Sequence, residues 1–239
     1  MLKSATIAAA ILILVLSPAP AQSPWASTPT KLQLAQTSNS PVKEANHNAK
    51  LTDAASINED LVGFALDGKA DKVAERVTAM RNTLSSLRPL LSNSAFDGLG
   101  RQVTEMEQAF SKRDLLATAL ASVEAYRIIE NAMDAASRPS PVEVAMLDYS
   151  GFKLSILGAA PVANWAAIST TAKESDGSWS TLANKIQEKS LQNLVAAIQE
   201  GLRNAVTRKD IDGVKFAAKM QLEAVDVLED YFKRAGKRP

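Results

Sequence analysis

Apolar residues recur along most of this chain at spacings of three and four, the rhythm of a helix that buries one face. Val73, Val77, Met80, Leu84 and Leu87 form one such stripe, closed by Pro89, and Phe96, Leu99, Val103, Met106 and Phe110 form the next. Asp114 then stands where an N-cap would, ahead of Leu116, Leu120, Val123, Ile129 and Met133, with Arg138-Pro139 marking the end. Upstream, Ser56-Ile57-Asn58-Glu59 has the form of a capping box, and it opens or lies inside a short helix that stops at Asp67-Gly68.

Downstream, Ser140 as N-cap, Pro141 at N1 and Glu143 at N3 predict a helix start. The stripe Val142, Ala145, Tyr149, Phe152 and Ile156 carries that helix to about Leu157, with Gly158 as the residue after its end. Pro161 is expected to start a sixth helix containing Trp165 and Ile168, and Asp176-Gly177 to break it. One long helix is expected over about 180–208, with Leu182, Ile186, Leu194, Ile198, Leu202 and Ala205 inward. The last covers about 211–235, with Val214, Ala218, Leu222, Val225, Leu228 and Phe232. No window sustains period-two alternation of β-branched residues, and alanine is the commonest residue. The expectation is an all-α, antiparallel bundle of about seven or eight helices over residues 51–235. Lys69–Met80 (KADKVAERVTAM) and Lys209–Met220 (KDIDGVKFAAKM) echo each other, which leaves a duplicated helical unit open.

The ends of the chain read differently. Lys3, the apolar or small run Ala5–Leu16, and Ala19 and Ala21 at A-x-A positions have the form of a secretory signal peptide cut after Ala21. The expected location is therefore the periplasm or the exterior, with no membrane span once the signal is removed. Residues 22–50 are rich in Ser, Thr, Pro, Asn and Gln, and are expected to form a disordered tether in which His47, the only histidine, is solvated. Residues 236–239 are a basic tail that, with Lys233 and Arg234, suits the negative end of the last helix.

Composition then narrows the chemistry. The 27 Lys+Arg against 26 Asp+Glu leave no basic excess for nucleic acid. The absence of Cys removes thiolate catalysis and disulfides, and one His removes most hydrolytic triads and multi-His metal sites. Met80, Met106, Met133, Met146 and Met220 are spread over five helices and read as core fillers rather than copper ligands. The acidic groups Glu105/Glu107, Glu124/Glu130 and Asp226/Glu229/Asp230 mostly fall off the apolar stripes, as solvated helix faces do. No G-x-S-x-G occurs, and Ser and Thr have no partner base apart from Lys, so the expectation is a non-enzymatic protein with no metal and no cofactor.

An exported, Ala-rich chain of such helices resembles the periplasmic bundles of the cytochrome b562 and cytochrome c-prime families, with Ala205–Phe232 the nearest local likeness. The resemblance implies a helical-bundle architecture. It carries over no haem ligand, because there is no C-x-x-C-H and the final helix has no His. The alternative function it suggests is a cofactor or metal carrier.

The segment least like a generic bundle is 142–168, whose only charges are Glu143, Asp148 and Lys153. Its uncharged stretch from Leu154 to Ala172 is interrupted by Gly158-Ala159-Ala160-Pro161, which predicts a buried hairpin rather than a membrane span. Such a hairpin could be core, or its polar members could line a pocket or partner surface. Asp148, Tyr149, Lys153, Asn164 and Trp165 are the candidate binding residues, for an unidentified protein partner or a small apolar ligand.

Overall fold

The structure, a computed structural model, describes residues 41–235, with side chains from 47 onward. The expected signal segment, residues 22–40 of the expected tether and the tail 236–239 lie outside the described residues. Among those described there are eight α-helices and no strand: α1 (Pro41–Leu66), α2 (Ala70–Leu87), α3 (Asn93–Ser111), α4 (Leu115–Ala132), α5 (Val142–Ala159), α6 (Trp165–Leu182), α7 (Lys189–Arg208) and α8 (Ile211–Ala235). The protein is an all-α multi-helix bundle.

The helices form two four-helix halves with one connectivity. In the first, α1 packs on α2 and α4, and α3 on α2 and α4; in the second, α5 packs on α6 and α8, and α7 on α6 and α8. The halves meet chiefly where α4 lies against α5, with a smaller contact between α1 and α5. Helix α5 thus touches four others, which explains its low charge: it has almost no solvated face.

The repetition is sharpest at the corners that close each half. Arg113, before α4, and Lys209, before α8, are the two non-glycine residues with positive φ among the described residues, at 58° and 52°. Each corner is tied by the same bonds: Asp114 N–H donates to Ala109 O at 3.1 Å, and Asp210 N–H to Ala205 O at 2.9 Å. The aspartate then caps the new helix, accepting from Ala117 N–H at 2.9 Å in one half and Gly213 N–H at 2.9 Å in the other. The Lys69/Lys209 echo is therefore out of phase, since Lys69 precedes α2 and Lys209 precedes α8. The matching pair is Lys112-Arg113-Asp114 with Arg208-Lys209-Asp210.

Several expected boundaries move. Helix α1 begins at Pro41, so residues 41–50, expected in the tether, are helical. The polar composition that suggested solvation supplies specific bonds instead. Asn48 Nδ2 donates to Asp134 O at 3.0 Å and Ser137 Oγ at 2.9 Å, while its Oδ1 accepts from Asp134 N–H at 2.8 Å. His47 is partly buried, with Nε2 3.4 Å from Ala132 O. Ser56 and Glu59 lie inside α1 and do not open it. Ser140 gives no capping bond, and α5 starts after Pro141 and runs through Gly158 to Ala159. Helix α6 starts at Trp165, because Asn164 rather than Pro161 supplies the cap, Oδ1 accepting from Ala167 N–H at 3.1 Å.

Asp176-Gly177 does not break α6. The glycine costs about 1 kcal/mol in a helix interior, but Trp179 and Leu182 beyond it are buried and Asp176 pairs with Arg203 of α7. The break falls at 183–188, so the expected long helix over 180–208 is split: a 3-10 turn at Ala183–Lys185 precedes α7. Gln192 Nε2 holds that turn, donating to Ala183 O at 2.9 Å and Ile186 O at 2.6 Å, and Gln187 N–H donates to Tyr231 OH at 2.9 Å. Leu194, expected inward, is exposed.

Candidate functional site

Two polar networks are built where the halves meet. The outer one lies on the α4–α5 seam. Glu124 Oε1 accepts from Tyr149 OH at 2.8 Å and Lys153 Nζ at 2.7 Å, and Oε2 from Arg127 Nη2 at 2.7 Å. Lys153 Nζ also donates to Tyr149 OH at 2.7 Å. Burial works to raise the Glu124 carboxyl, but the bonds from Lys153 and Tyr149 and the charges of Lys153 and Arg127 hold it below its ordinary value. Burial pushes the Tyr149 phenol up to about 12. Every polar group in this network is committed to a neighbour, so its chemistry is that of a clasp between halves.

The inner network faces a cleft of about 250 Å³ framed by α1, α4, the Arg138–Ser140 linker, α5 and α8. Glu59 and Ser56 enter from α1, Tyr126 and Glu130 from α4, Ala145 from α5, and Glu229 and Lys233 from α8. Tyr126 OH donates to Asp148 Oδ2 at 3.0 Å, which ties α4 to α5 beside it, and the Phe152 ring meets Tyr126 edge-on at 6.2 Å. Glu130 is paired with Arg138, both side chains under a tenth exposed, and Arg138 Nη1 also donates to Glu130 O at 2.6 Å. Glu229 is paired with Lys233 at 2.8 Å.

Glu59 is the carboxylate left over. It is partly buried and has neither an ion pair nor a side-chain hydrogen bond among the described residues. Burial, then the charges of Glu130, Glu229, Asp60 and Asp226, raise it from 4.5 to about 7. Burial also raises Glu130 in spite of Arg138, and raises Asp148 well above the carboxylate range, with Glu59 adding to it. Among the described residues no three His, Cys, Asp or Glu side chains are grouped to hold a metal ion. The cleft is instead suited to a single cationic group, with carboxylate on several sides and one of them unpaired.

The five candidate binding residues fall in two places. Asp148, Tyr149 and Lys153 come together at the seam, Asp148 toward the inner network and the other two in the outer one. Asn164 and Trp165 lie at the loop end of the α5–α6 hairpin, where Asn164 caps α6 and Trp165 packs on the apolar cluster around Leu157 and Ile168. Sequence reasoning passed over Glu59, Tyr126, Arg138 and Glu229 as binding groups. Glu130, assigned to a solvated face, is buried. Its signal was available: Tyr126, Ile129, Glu130 and Met133 share one helical stripe, and a carboxylate on such a stripe needs a partner.

Comparison of the chain with protein-family models, with curated protein sequences and with solved structures gives no match.

Proposed function

We propose that this protein is an exported, periplasmic, non-enzymatic binding module that holds a small organic cation, an amine, in the cleft between its two helical halves. The observation that carries this reading is Glu59: a carboxylate raised to about 7, open to an enclosed cleft, beside two carboxylates that already have cations. An ammonium group entering there supplies the missing counter-charge and takes donors to Glu59 and Ser56. The lining favours such a ligand over the apolar one expected from the α5–α6 hairpin. Export is supported by the N-terminal sequence pattern alone.

Binding is tied to a proton. With Glu59 near 7, the free protein carries that proton below neutrality and an incoming ammonium expels it, so affinity rises with pH until Glu59 is ionised. Calorimetry with a series of alkylamines and diamines, against matched diols, is expected to show amine binding with proton release near neutrality. Glu59→Gln is expected to abolish both the binding and the release, with helical circular dichroism unchanged. Amine binding that survives Glu59→Gln, or no amine binding at all, defeats the reading.

A further inference from the structure

Among the described residues the outward face of the α7–α8 pair is apolar and uncovered. Three of the exposed large hydrophobic residues lie on it: Phe216 at 68%, Val227 at 45% and Leu194 at 44% exposure. Between the two helices runs a groove of about 390 Å³ whose floor and walls are small or apolar, among them Ala197, Ile198, Gly201 and Ala217, with Phe216 standing on its edge. Arg208 is the one charged side chain in its lining.

The first half shows what such a face is for. Helix α4 occupies the position that α8 occupies in the second half, and its outward side, carrying Leu120 and Glu124, is covered by α5. Among the described residues no fifth helix covers the equivalent side of α8. Through the middle of α8 the exposed charges are also ordered: Lys215 and Lys219 come first and Glu223 and Asp226 follow, with Asp212 before them and Asp230, Lys233 and Arg234 after. A second α8 crossing it antiparallel near residue 221 sets Lys215 and Lys219 of each copy against Glu223 and Asp226 of the other, with the charges at the helix ends splayed apart by the crossing. The same two-fold carries each Phe216 to the Leu194–Val227 end of the opposite groove. One patch that holds both a projecting ring and a groove of small residues is self-complementary, as a two-fold interface requires. A face of two helices about 30 Å long matches the footprint of a standard dimer interface.

We infer that two copies of this chain pair antiparallel through α7 and α8, Phe216 and the Lys219–Glu223 charge pair setting the contact. Sedimentation velocity and light scattering of the full chain across the micromolar range test this. The unaltered protein is expected to be a dimer, and Phe216→Asp, at an exposed position, a folded monomer by circular dichroism. Lys219→Glu and Glu223→Lys are each expected to weaken the dimer at least tenfold alone and to form a heterodimer when mixed, because only then does every lysine meet a carboxylate. A chain that stays monomeric overturns the inference, as does a dimer indifferent to Phe216→Asp. Charge variants that fail to complement each other overturn the antiparallel arrangement.

Discussion

In the α1–α4 half one apolar core runs the length of the bundle, through Leu51, Leu61, Met80, Leu99, Met106 and Ile129. In the α5–α8 half the core is cut in two, one cluster around Leu147, Leu182 and Leu228 and another around Leu154, Ile168 and Leu202. The cut is a buried polar layer to which each helix gives one side chain: Ser150, Ser175, Gln199 and Gln221. Gln221 is its hub. Nε2 donates to Leu147 O at 2.6 Å and Ser150 Oγ at 2.8 Å, and Oε1 accepts from Ser175 Oγ at 2.9 Å and Gln199 Nε2 at 3.0 Å. The first half has only a remnant of this layer, Asn58 of α1 accepting from Ser122 of α4 at 3.0 Å. A satisfied polar layer adds little net stability, but any slipped register strands its members unpaired. The second half is therefore held in register by that penalty, and the first by the fit of its large side chains.

The hub is where this contrast breaks most easily. Gln221→Ala leaves Ser150, Ser175, Gln199 and the Leu147 carbonyl short of partners, and is expected to cost about 3–4 kcal/mol by urea unfolding. Asn58→Ala, with fewer bonds at stake, is expected to cost about half that. Equal losses would show that the two halves use polarity alike.

A smaller effect tests the seam. Folded Glu59 titrates at about 7 instead of 4.5, so between those pH values the folded chain keeps a proton that the unfolded chain has released. Stability contributed this way is complete below the unfolded value and is lost as pH rises through the folded one, a fall of about 2 kcal/mol. Glu130 and Asp148, also raised, add slopes of the same sign. Glu124 acts in the opposite direction, its contribution being lost as pH falls through its lowered value. Denaturation midpoints from pH 4 to 8 are expected to show the decline, and Glu59→Gln to remove its share, leaving the slope that Glu130 and Asp148 supply.

The smallest effect compares helix spacing in the halves. A Cβ on Gly151 of α5 would lie 2.7 Å from Leu222 Cδ2 of α8, whereas one on Gly98 of α3 would meet Ile128 Cδ1 at an ordinary 3.4 Å. Gly98→Ala is expected to stabilise by up to about 1 kcal/mol through helix propensity, and Gly151→Ala to destabilise by a similar amount as Leu222 is displaced. Thermal melts of the two variants should shift in opposite directions.

The sequence made the helices legible because their apolar stripes are local facts; α2, α3 and α8 fall within a residue or two of where the periodicity puts them. It misled where tertiary contacts overrule local preference. Gly177 looks like a stop but sits in a helix held on both sides by burial, and Asn48 looks solvated but is bonded to a loop 86 residues away. The cleft was invisible for the same reason. Glu59, Glu130, Arg138 and Glu229 come from four separate segments, and only Glu130 carries a sign of burial in its own neighbourhood.

The twin corners at Arg113 and Lys209 bear on what keeps each half closed. Each sits in a left-handed conformation that a side chain disfavours and that glycine would adopt freely. An unfolded chain therefore has no strong bias to turn at either place. Both corners are thus held by their cap bonds and the helices packed on either side, and not by the preference of the residue at the turn.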